Sequence, residues 1–503
     1  MPIGLRSSLS LVPQRWVVCA LCSLAFAIIS YKNTCYNDIS NVVDSFTQES
    51  LLPPEEYTCP FKYLDNHSWK RTLPFYLPDI YWNPWVLVVA HSAFQTGKLL
   101  FMVPAGVLSD IGYSKYVLGG GMTLLTFKYL LHPTMVNYGI TIFAVVNFLE
   151  GVGEATIYPS TISLISCWTS PYERNVFVAV VVAGTYYGKA LGHVFFHLIY
   201  VGSSSWSVGE YATGVVGLVW LVLCAIFIHS SPKDSPFISR HEIRRLTITQ
   251  KSSIVSRLHK LHGIPWRKIV TSPPFLSLVL AFSSVDWATT LNVMANFGDY
   301  QMVILNLPES FSKGSTVTMV AILPSLLMSG FLADYIIKHD LMSKTVVKRT
   351  FTFVGVFVSS LLLVAACCLA GCDVMMFWLL SIAGVYVIGL AVPVVYSAAI
   401  DLSPRHAGLL MGIMYSVRTI FSLFNYRIDQ ILIDDEFDVV QWRVRSVVVA
   451  IFTVALIFPF LFFGSSEMQI WTSQSHVALQ LNPVEMDSVT NEPTDQQATT
   501  SNE

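Results

Sequence analysis

The chain has 503 residues, of which 53% are hydrophobic and only 12% are charged. A soluble domain carries about 25% charged residues, so this composition argues against an ordinary soluble protein and indicates that lipid is the main solvent. The net charge of −2 argues against a nucleic acid partner.

A membrane-spanning helix needs about 20 mostly apolar residues. Twelve runs of the sequence meet this requirement, near 16–34, 84–108, 115–132, 138–167, 174–201, 210–230, 275–297, 315–337, 349–370, 374–399, 406–432 and 444–464. No small-residue cleavage site follows the first run, so we expect it to be a membrane span and signal anchor. The pattern predicts an all-α polytopic membrane protein with twelve transmembrane helices.

Two long polar stretches interrupt the apolar pattern, at 35–83 and at 231–272. The second is strongly basic, and positive charge near span ends marks the cytosolic side of a membrane. We therefore expect both termini to be cytosolic and 35–83 to face the lumen or the exterior. There the sequon at Asn66 is a candidate glycosylation site.

This topology divides the chain into a short N-terminus (1–15), a first six-helix half (16–230), a cytosolic central loop (231–272), a second six-helix half (273–465) and a polar tail (466–503) that we expect to be disordered.

The nine cysteines show no metal-binding pattern, and most lie in or beside apolar runs, where they act as small packing residues. Cys35 and Cys59 flank the polar segment that we place outside the cytosol. They are therefore a candidate disulfide.

A short repeat supports the division into two halves. The sequence GVLSD (106–110) follows the second apolar run, and GFLAD (330–334) follows the eighth. An offset of six spans indicates parallel duplication of a six-helix unit, as in major facilitator transporters.

The chain resembles the anion:cation symporter family of the major facilitator superfamily (solute carrier family 17), which includes sialin, the vesicular glutamate transporters and the type I sodium–phosphate transporters. The resemblance rests on EGVGEATIYPS (150–160), SPYERN (170–175), SSPKDSPFISRHE (230–242), SGFLADYIIKHDLMSKTVVKR (329–349) and IDLSPRHAGLLMGI (400–413). It implies the major facilitator fold, a small anionic substrate and transport by alternating access between two halves.

Glu150 and Glu154 are the leading candidates for proton coupling. Their spacing of four residues places both carboxyls on one face of a helix. Burial and a neighbouring like charge both raise a carboxyl pKa toward neutrality, where a group can load and release a proton. The resemblance supports this role, and it adds His91, which stands where the vesicular glutamate transporters have a histidine. The alternative is a structural pair that holds the fourth span to its neighbours.

Four cations within spans are candidate anchors for an anionic substrate: Lys32, Lys98, Lys189 and Arg418. A cation in mid-span faces a water-filled cavity or pairs with an acid. For Lys32, at the end of its run, snorkelling to the interface is the alternative. Asn147 lies on the same helix face as the two glutamates and completes the candidate binding set.

The chain departs from the family at several substrate positions. Asn147 replaces a family arginine, Val285 replaces the helix-7 arginine of the vesicular glutamate transporters, and Met414-Tyr415 replaces a Ser-Asn pair. We therefore expect a divergent member that does not transport glutamate.

Asp110 and Asp334, in the two copies of the repeat, are candidate gating residues together with the basic residues Lys115 and Arg174. We expect them to brace helices at the cytosolic ends of spans rather than to contact substrate.

These observations predict a secondary active carrier of a small organic anion of the sialic acid, uronate, acidic amino acid or phosphate class. No nucleotide-binding motif or catalytic set is present in the sequence, so we expect no enzyme activity, no cofactor beyond a coupling ion, and no metal site. Coupling to H⁺ is favoured. Coupling to Na⁺, facilitated transport and a transport-inactive sensor remain alternatives. We expect a monomer in a lysosomal, vesicular or plasma membrane.

Overall fold

A computed structural model of the chain describes residues 13–47, 84–195, 205–249, 264–290, 313–434 and 438–469, together with the single residues 198, 300, 304 and 305. Asn66 and Cys59 lie outside these ranges.

Six long helices form the N-terminal half: α1 (Gln14–Thr47), α2 (Pro84–Leu108), α3 (Ser114–Met135), α4 (Ile140–Trp168), α5 (Arg174–Phe195) and α6 (Trp206–Phe227). Two short helices follow in the central loop, α7 (Arg240–Thr249) and α8 (Trp266–Val270). The C-terminal half contains α9 (Pro273–Thr290), α10 (Lys313–Lys338), α11 (Lys344–Leu369), α12 (Val374–Ile388), α13 (Val392–Leu402), α14 (Ala407–Leu432) and α15 (Val439–Phe463).

A helix covers at least part of each of the twelve predicted runs. Eight stretches of the described chain are long and apolar enough to cross a membrane, and one of them, Trp85–Tyr138, contains both α2 and α3. The predicted all-α, multi-pass architecture is confirmed. The number of twelve crossings stays a prediction.

The helix boundaries differ from the predicted runs in two places. α1 continues to Thr47, so the polar residues that follow the apolar run, which ends near 34, also belong to the helix. The run at 374–399 is broken into α12 and α13. At this break the Ser329 hydroxyl of α10 donates to the Leu390 carbonyl at 2.6 Å. The neighbouring helix therefore satisfies a backbone group that the break releases.

Antiparallel connections place the helix starts of α5, α9 and α14 at the same end of the bundle as the ends of α2 and α10. We call this the inner end, and it is the end that positive charge predicts to be cytosolic. At the inner end the two halves pack against each other through α5 and α10, and through α2 and α14.

The predicted disulfide between Cys35 and Cys59 is not formed, because Cys35 is a buried thiol rather than half of a disulfide. It lies within α1 rather than in a loop, and its Sγ is 3.6 Å from the Gly192 carbonyl of α5. Cys372, in the turn between α11 and α12, is disulfide-bonded.

Candidate transport site

Glu154 lies near the middle of α4 and forms a buried ion pair with Lys98 of α2, with Nζ and Oε1 2.5 Å apart. The Asn33 amide of α1 donates to its second carboxylate oxygen at 3.3 Å. Glu154 therefore has polar partners on two neighbouring helices, and its charge is balanced inside the bundle.

Close contact between the α2 and α4 backbones brings this pair together. A Cβ added to Gly97 would lie 2.3 Å from the Phe148 carbonyl oxygen, and one added to Gly151 would lie 2.1 Å from the Phe94 carbonyl oxygen. Only glycine allows such an approach. Lys98 directly follows the first of these glycines, so its side chain begins close to α4.

Glu150 also has a lysine of its own. Lys128 of α3 places its Nζ 2.9 Å from Glu150 Oε2. The Asn147 amide donates instead to its own helix, to the Phe143 carbonyl at 2.7 Å. Each glutamate of α4 therefore has its own lysine as counter-charge. Neither is an unpaired carboxylate in an apolar environment.

A third buried pair joins Lys32 of α1 to Glu210 of α6. His132 of α3 lies beside it, with Nδ1 3.5 Å from Glu210 Oε2. Lys32 is only 1% exposed, so it does not snorkel to the interface. The Tyr129 ring lies 5.8 Å from the Lys32 ammonium and 5.1 Å from the Lys128 ammonium, and it connects the pairs.

We call these three lysine–glutamate pairs the paired cluster: Lys32–Glu210, Lys98–Glu154 and Lys128–Glu150. Lys128, His132 and Glu210 are not among the site residues predicted from the sequence. A signal existed, because each is a titratable residue within a predicted span or at its edge, and the paired cluster contains three lysines and three glutamates. The physical reason for this equality is that an unpaired charge in the bilayer is costly.

A second group of charges lies in the middle of the bundle, between the halves. Arg418 of α14 pairs with Asp286 of α9 at 2.5 Å, and their side chains remain 26% and 22% exposed. Lys189 of α5 is half-buried and interacts electrostatically with both. Within the described ranges, Lys189 forms no ion pair of its own.

Aromatic side chains join the two halves next to these charges. The Tyr158 ring of α4 stacks on the Tyr415 ring of α14, with centroids 4.4 Å apart. The Tyr415 hydroxyl lies 2.8 Å from that of Tyr396. The Lys98 ammonium lies 5.8 Å from the Tyr158 ring, and the Arg418 guanidinium lies 5.1 Å from the Tyr415 ring. Lys98 of the N-terminal half and Arg418 of the C-terminal half therefore both lie close to this contact between the two halves.

His91 is exposed on α2, and its Nε2 lies 3.3 Å from the Gln95 amide nitrogen. The structure pairs both helix-4 glutamates with lysines and does not bring His91 to either of them.

The two aspartates of the repeat make equivalent contacts across the halves. Asp110 accepts from the backbone N–H groups of Gly408 and Leu409, at 2.9 and 2.8 Å, at the start of α14. Asp334 accepts from the backbone N–H of Val176 at 2.8 Å and from the Asn175 side chain at 2.7 Å, at the start of α5. A carboxylate at a helix N-terminus satisfies free N–H groups and complements the helix dipole.

Arg174 and Lys348 both pair with Asp401 at the inner end, which gives a further bridge from α5 to α13. Lys115 does not take part in this contact. Its ammonium donates to the Ala225 carbonyl at 2.9 Å, and so it binds the end of α6 within the N-terminal half.

The comparisons with known proteins agree with this architecture. The sequence model of the Major Facilitator Superfamily matches residues 72–424. Sialin of Ovis aries is 24% identical over 84% of this chain and 82% of its own. A putative inorganic phosphate cotransporter of Drosophila ananassae is 27% identical over 82% of this chain and 85% of its own. The solved structure of the proton:xylose symporter XylE covers 92% of this chain and 98% of its own, with a TM-score of 0.62 and 10% identity.

The fold and the family match together define a multi-pass membrane transporter, not an enzyme. The chain belongs to the major facilitator superfamily, and its relatives confirm the predicted resemblance to the sialin and phosphate transporter branch.

Proposed function

We propose that the chain is a proton-coupled secondary active transporter of a small organic anion that works by alternating access. The observation that carries this proposal is the buried Lys98–Glu154 pair beside the Tyr158–Tyr415 stack, where the two halves meet. A charge pair at a junction between moving halves can link ion binding to the conformational change.

The coupling step follows from the electrostatics of this pair. Protonation of the Glu154 carboxylate removes the counter-charge of Lys98, and a buried ammonium without a partner is strongly unfavourable. The unpaired Lys98 ammonium then raises the positive potential between the two halves, which favours the binding of an anion there. Proton and anion therefore favour each other's binding, as symport requires.

The inner contacts supply the gate of this cycle. Asp110 and Asp334 each cap a helix of the opposite half, and Arg174 reaches Asp401 across the same boundary. The state described here is closed at the inner end. Transport requires these contacts to break so that the central charges open toward the cytosol.

The name of the inorganic phosphate cotransporter supports an anionic substrate. We propose a vesicular, lysosomal or plasma membrane location with cytosolic termini, and a monomer as the working unit.

The test is uptake by proteoliposomes. Radiolabelled sialic acid, glucuronate, glutamate and phosphate are offered with an imposed pH gradient, with a sodium gradient, and with neither. We expect pH-driven accumulation of at least one anion. Sodium dependence would favour the sodium-coupled alternative. If none of the four anions is taken up, a transport-inactive member would be favoured.

Glu154→Gln tests the coupling residue, because the amide keeps the shape of the side chain but does not exchange a proton. We expect this variant to lose uphill accumulation while it keeps counterflow exchange, which needs no net proton movement. Glu173→Gln is the matched control. It also removes a carboxylate from an ion pair of the N-terminal half, with Arg15 at the inner end, but it lies outside the paired cluster. Full accumulation by Glu154→Gln would refute the coupling role.

A further inference from the structure

Among the described residues, three charged side chains lie in the middle of the bundle, between the two halves and outside the paired cluster. Lys189, Asp286 and Arg418 come from three different helices. At a rise of about 1.5 Å per residue, all three lie about 17–22 Å from the inner starts of α5, α9 and α14. They therefore occupy one level of the bundle, near its middle.

Asp286 reduces the net positive charge of this group. It pairs with Arg418 at 2.5 Å and so cancels one of two positive charges. The remaining positive charge is that of Lys189, which forms no ion pair within the described part of the chain. The side chains of Asp286 and Arg418 are about one quarter exposed, so they line open space rather than a sealed core.

Resting on the proposed function, we propose that Lys189, Arg418 and Asp286 form the binding site for the substrate's anionic group, and that Asp286 makes this site select a singly charged carboxylate over a doubly charged phosphate.

The physical reason is charge matching in a space of low dielectric constant. A singly charged carboxylate brings this site to neutrality, whereas a phosphate dianion leaves one excess negative charge close to Asp286. Like charges at such short range repel strongly in a partly desolvated site. Phosphate monoesters are mostly dianionic above about pH 7, because their second pKa is about 6.

Neighbouring residues fit a carboxylate on an organic body. Tyr415 is buried beside Arg418, with its ring 5.1 Å from the guanidinium, and its hydroxyl lies 2.8 Å from that of Tyr396. Tyr396 is half-buried, so it is the tyrosine of this pair that can contact a ligand. Tyrosine offers a flat apolar face with a hydroxyl at its tip, which suits a hydroxylated or ring-bearing substrate better than a small inorganic ion.

The experiment compares two hexose derivatives that differ at one position, D-glucuronate with a carboxylate and D-glucose 6-phosphate with a phosphate. Binding is measured at about pH 7.5 as the rise in melting temperature of the purified full chain over a range of ligand concentrations. Benzoate and phenyl phosphate form a second matched pair on an aromatic scaffold. This measurement needs no transport, so carboxylate binding without uptake would refute the proposed transport function but not this site.

We expect the wild-type protein to bind the carboxylate of at least one pair about tenfold more tightly than the phosphate. Asp286→Asn leaves two uncompensated cations and should shift the ratio by about tenfold toward the phosphate. Lys189→Gln combined with Asp286→Asn restores a single positive charge and should restore the preference for the carboxylate. The double variant therefore separates charge number from the identity of any one side chain.

Size-exclusion chromatography of each variant shows whether it is folded. A folded Asp286→Asn protein with the wild-type ratio would overturn the proposal. A wild-type preference for phosphate, or the absence of carboxylate binding in both pairs, would overturn it equally. If Asp286→Asn does not fold, the double variant and Lys189→Gln test the proposal instead. The proposal requires Lys189→Gln alone to weaken carboxylate binding by at least about tenfold.

Discussion

Replacement of Asp334 by asparagine should loosen the inner gate. Asp334 is a buried residue of the C-terminal half. Its carboxylate accepts from three groups at the start of α5 in the N-terminal half: the backbone N–H groups of Asn175 and Val176 and the Asn175 side chain. The variant keeps the size of the side chain but removes its negative charge. It also leaves an amide NH₂ facing groups that are themselves donors.

The magnitude follows from the lost hydrogen bonds. Hydrogen bonds to a charged group contribute about 1.5–3 kcal/mol each, and neutral ones about 0.5–1.5 kcal/mol. The exchange of a carboxylate for an amide should therefore weaken the contact by about 2 kcal/mol. That is about a thirtyfold shift in population toward the state that is open at the inner end.

The assay is a distance measurement by double electron–electron resonance. Spin labels on Tyr172→Cys and Leu341→Cys report from exposed turns of opposite halves, next to α5 and α10 respectively. In Asp334→Asn we expect a longer distance component that the parent protein lacks. Asp373→Asn is the matched control, because Asp373 caps α12 within a single half. An unchanged distance distribution in Asp334→Asn would refute the assignment of Asp334 to the gate.

Three further predictions follow from the fold and the topology. Gly97→Ala should lower the melting temperature by several degrees and reduce uptake, because its Cβ would strike the Phe148 carbonyl; a wild-type melting curve would contradict the close packing of α2 on α4. Asn66→Gln should remove one glycan step on a gel after expression in a eukaryotic secretory pathway, and a wild-type protein that does not respond to glycosidase would place this segment on the other side of the membrane. Cys35→Ser should leave the number of disulfides counted by mass spectrometry unchanged, whereas Cys372→Ser should reduce it by one; loss of a disulfide in Cys35→Ser would mean that Cys35 is bonded in the mature protein.

The fold was predictable from the sequence because the length of each apolar run and the GVLSD and GFLAD repeat can be read without knowing the tertiary structure. The same repeat predicted that Asp110 and Asp334 occupy equivalent positions, and the structure shows each of them capping a helix of the opposite half. The two glutamates of α4 were also found, since two carboxylates within one apolar run stand out in any sequence.

The partners of those glutamates were not predictable in the same way. Lys98 pairs with Glu154, and Lys128 pairs with Glu150, across helix contacts that no periodicity within one helix reveals. The pairing of Asp286 with Arg418 joins residues that are far apart in the sequence. Such partners depend on which helices become neighbours, and this is a property of the tertiary structure.

The paired cluster has a consequence for how the protein is made. Lys32 enters the membrane on the first helix, but its partner Glu210 arrives only with the sixth. On insertion scales a lysine is disfavoured by about 2.5–3.5 kcal/mol at the centre of a span and by less near its end, where Lys32 lies, so α1 is less stable in the membrane before its partner arrives. We therefore expect α1 to be fully stabilised in the membrane only after α6 has packed against it. A chain truncated before Glu210 would therefore keep Lys32 in the membrane without this counter-charge.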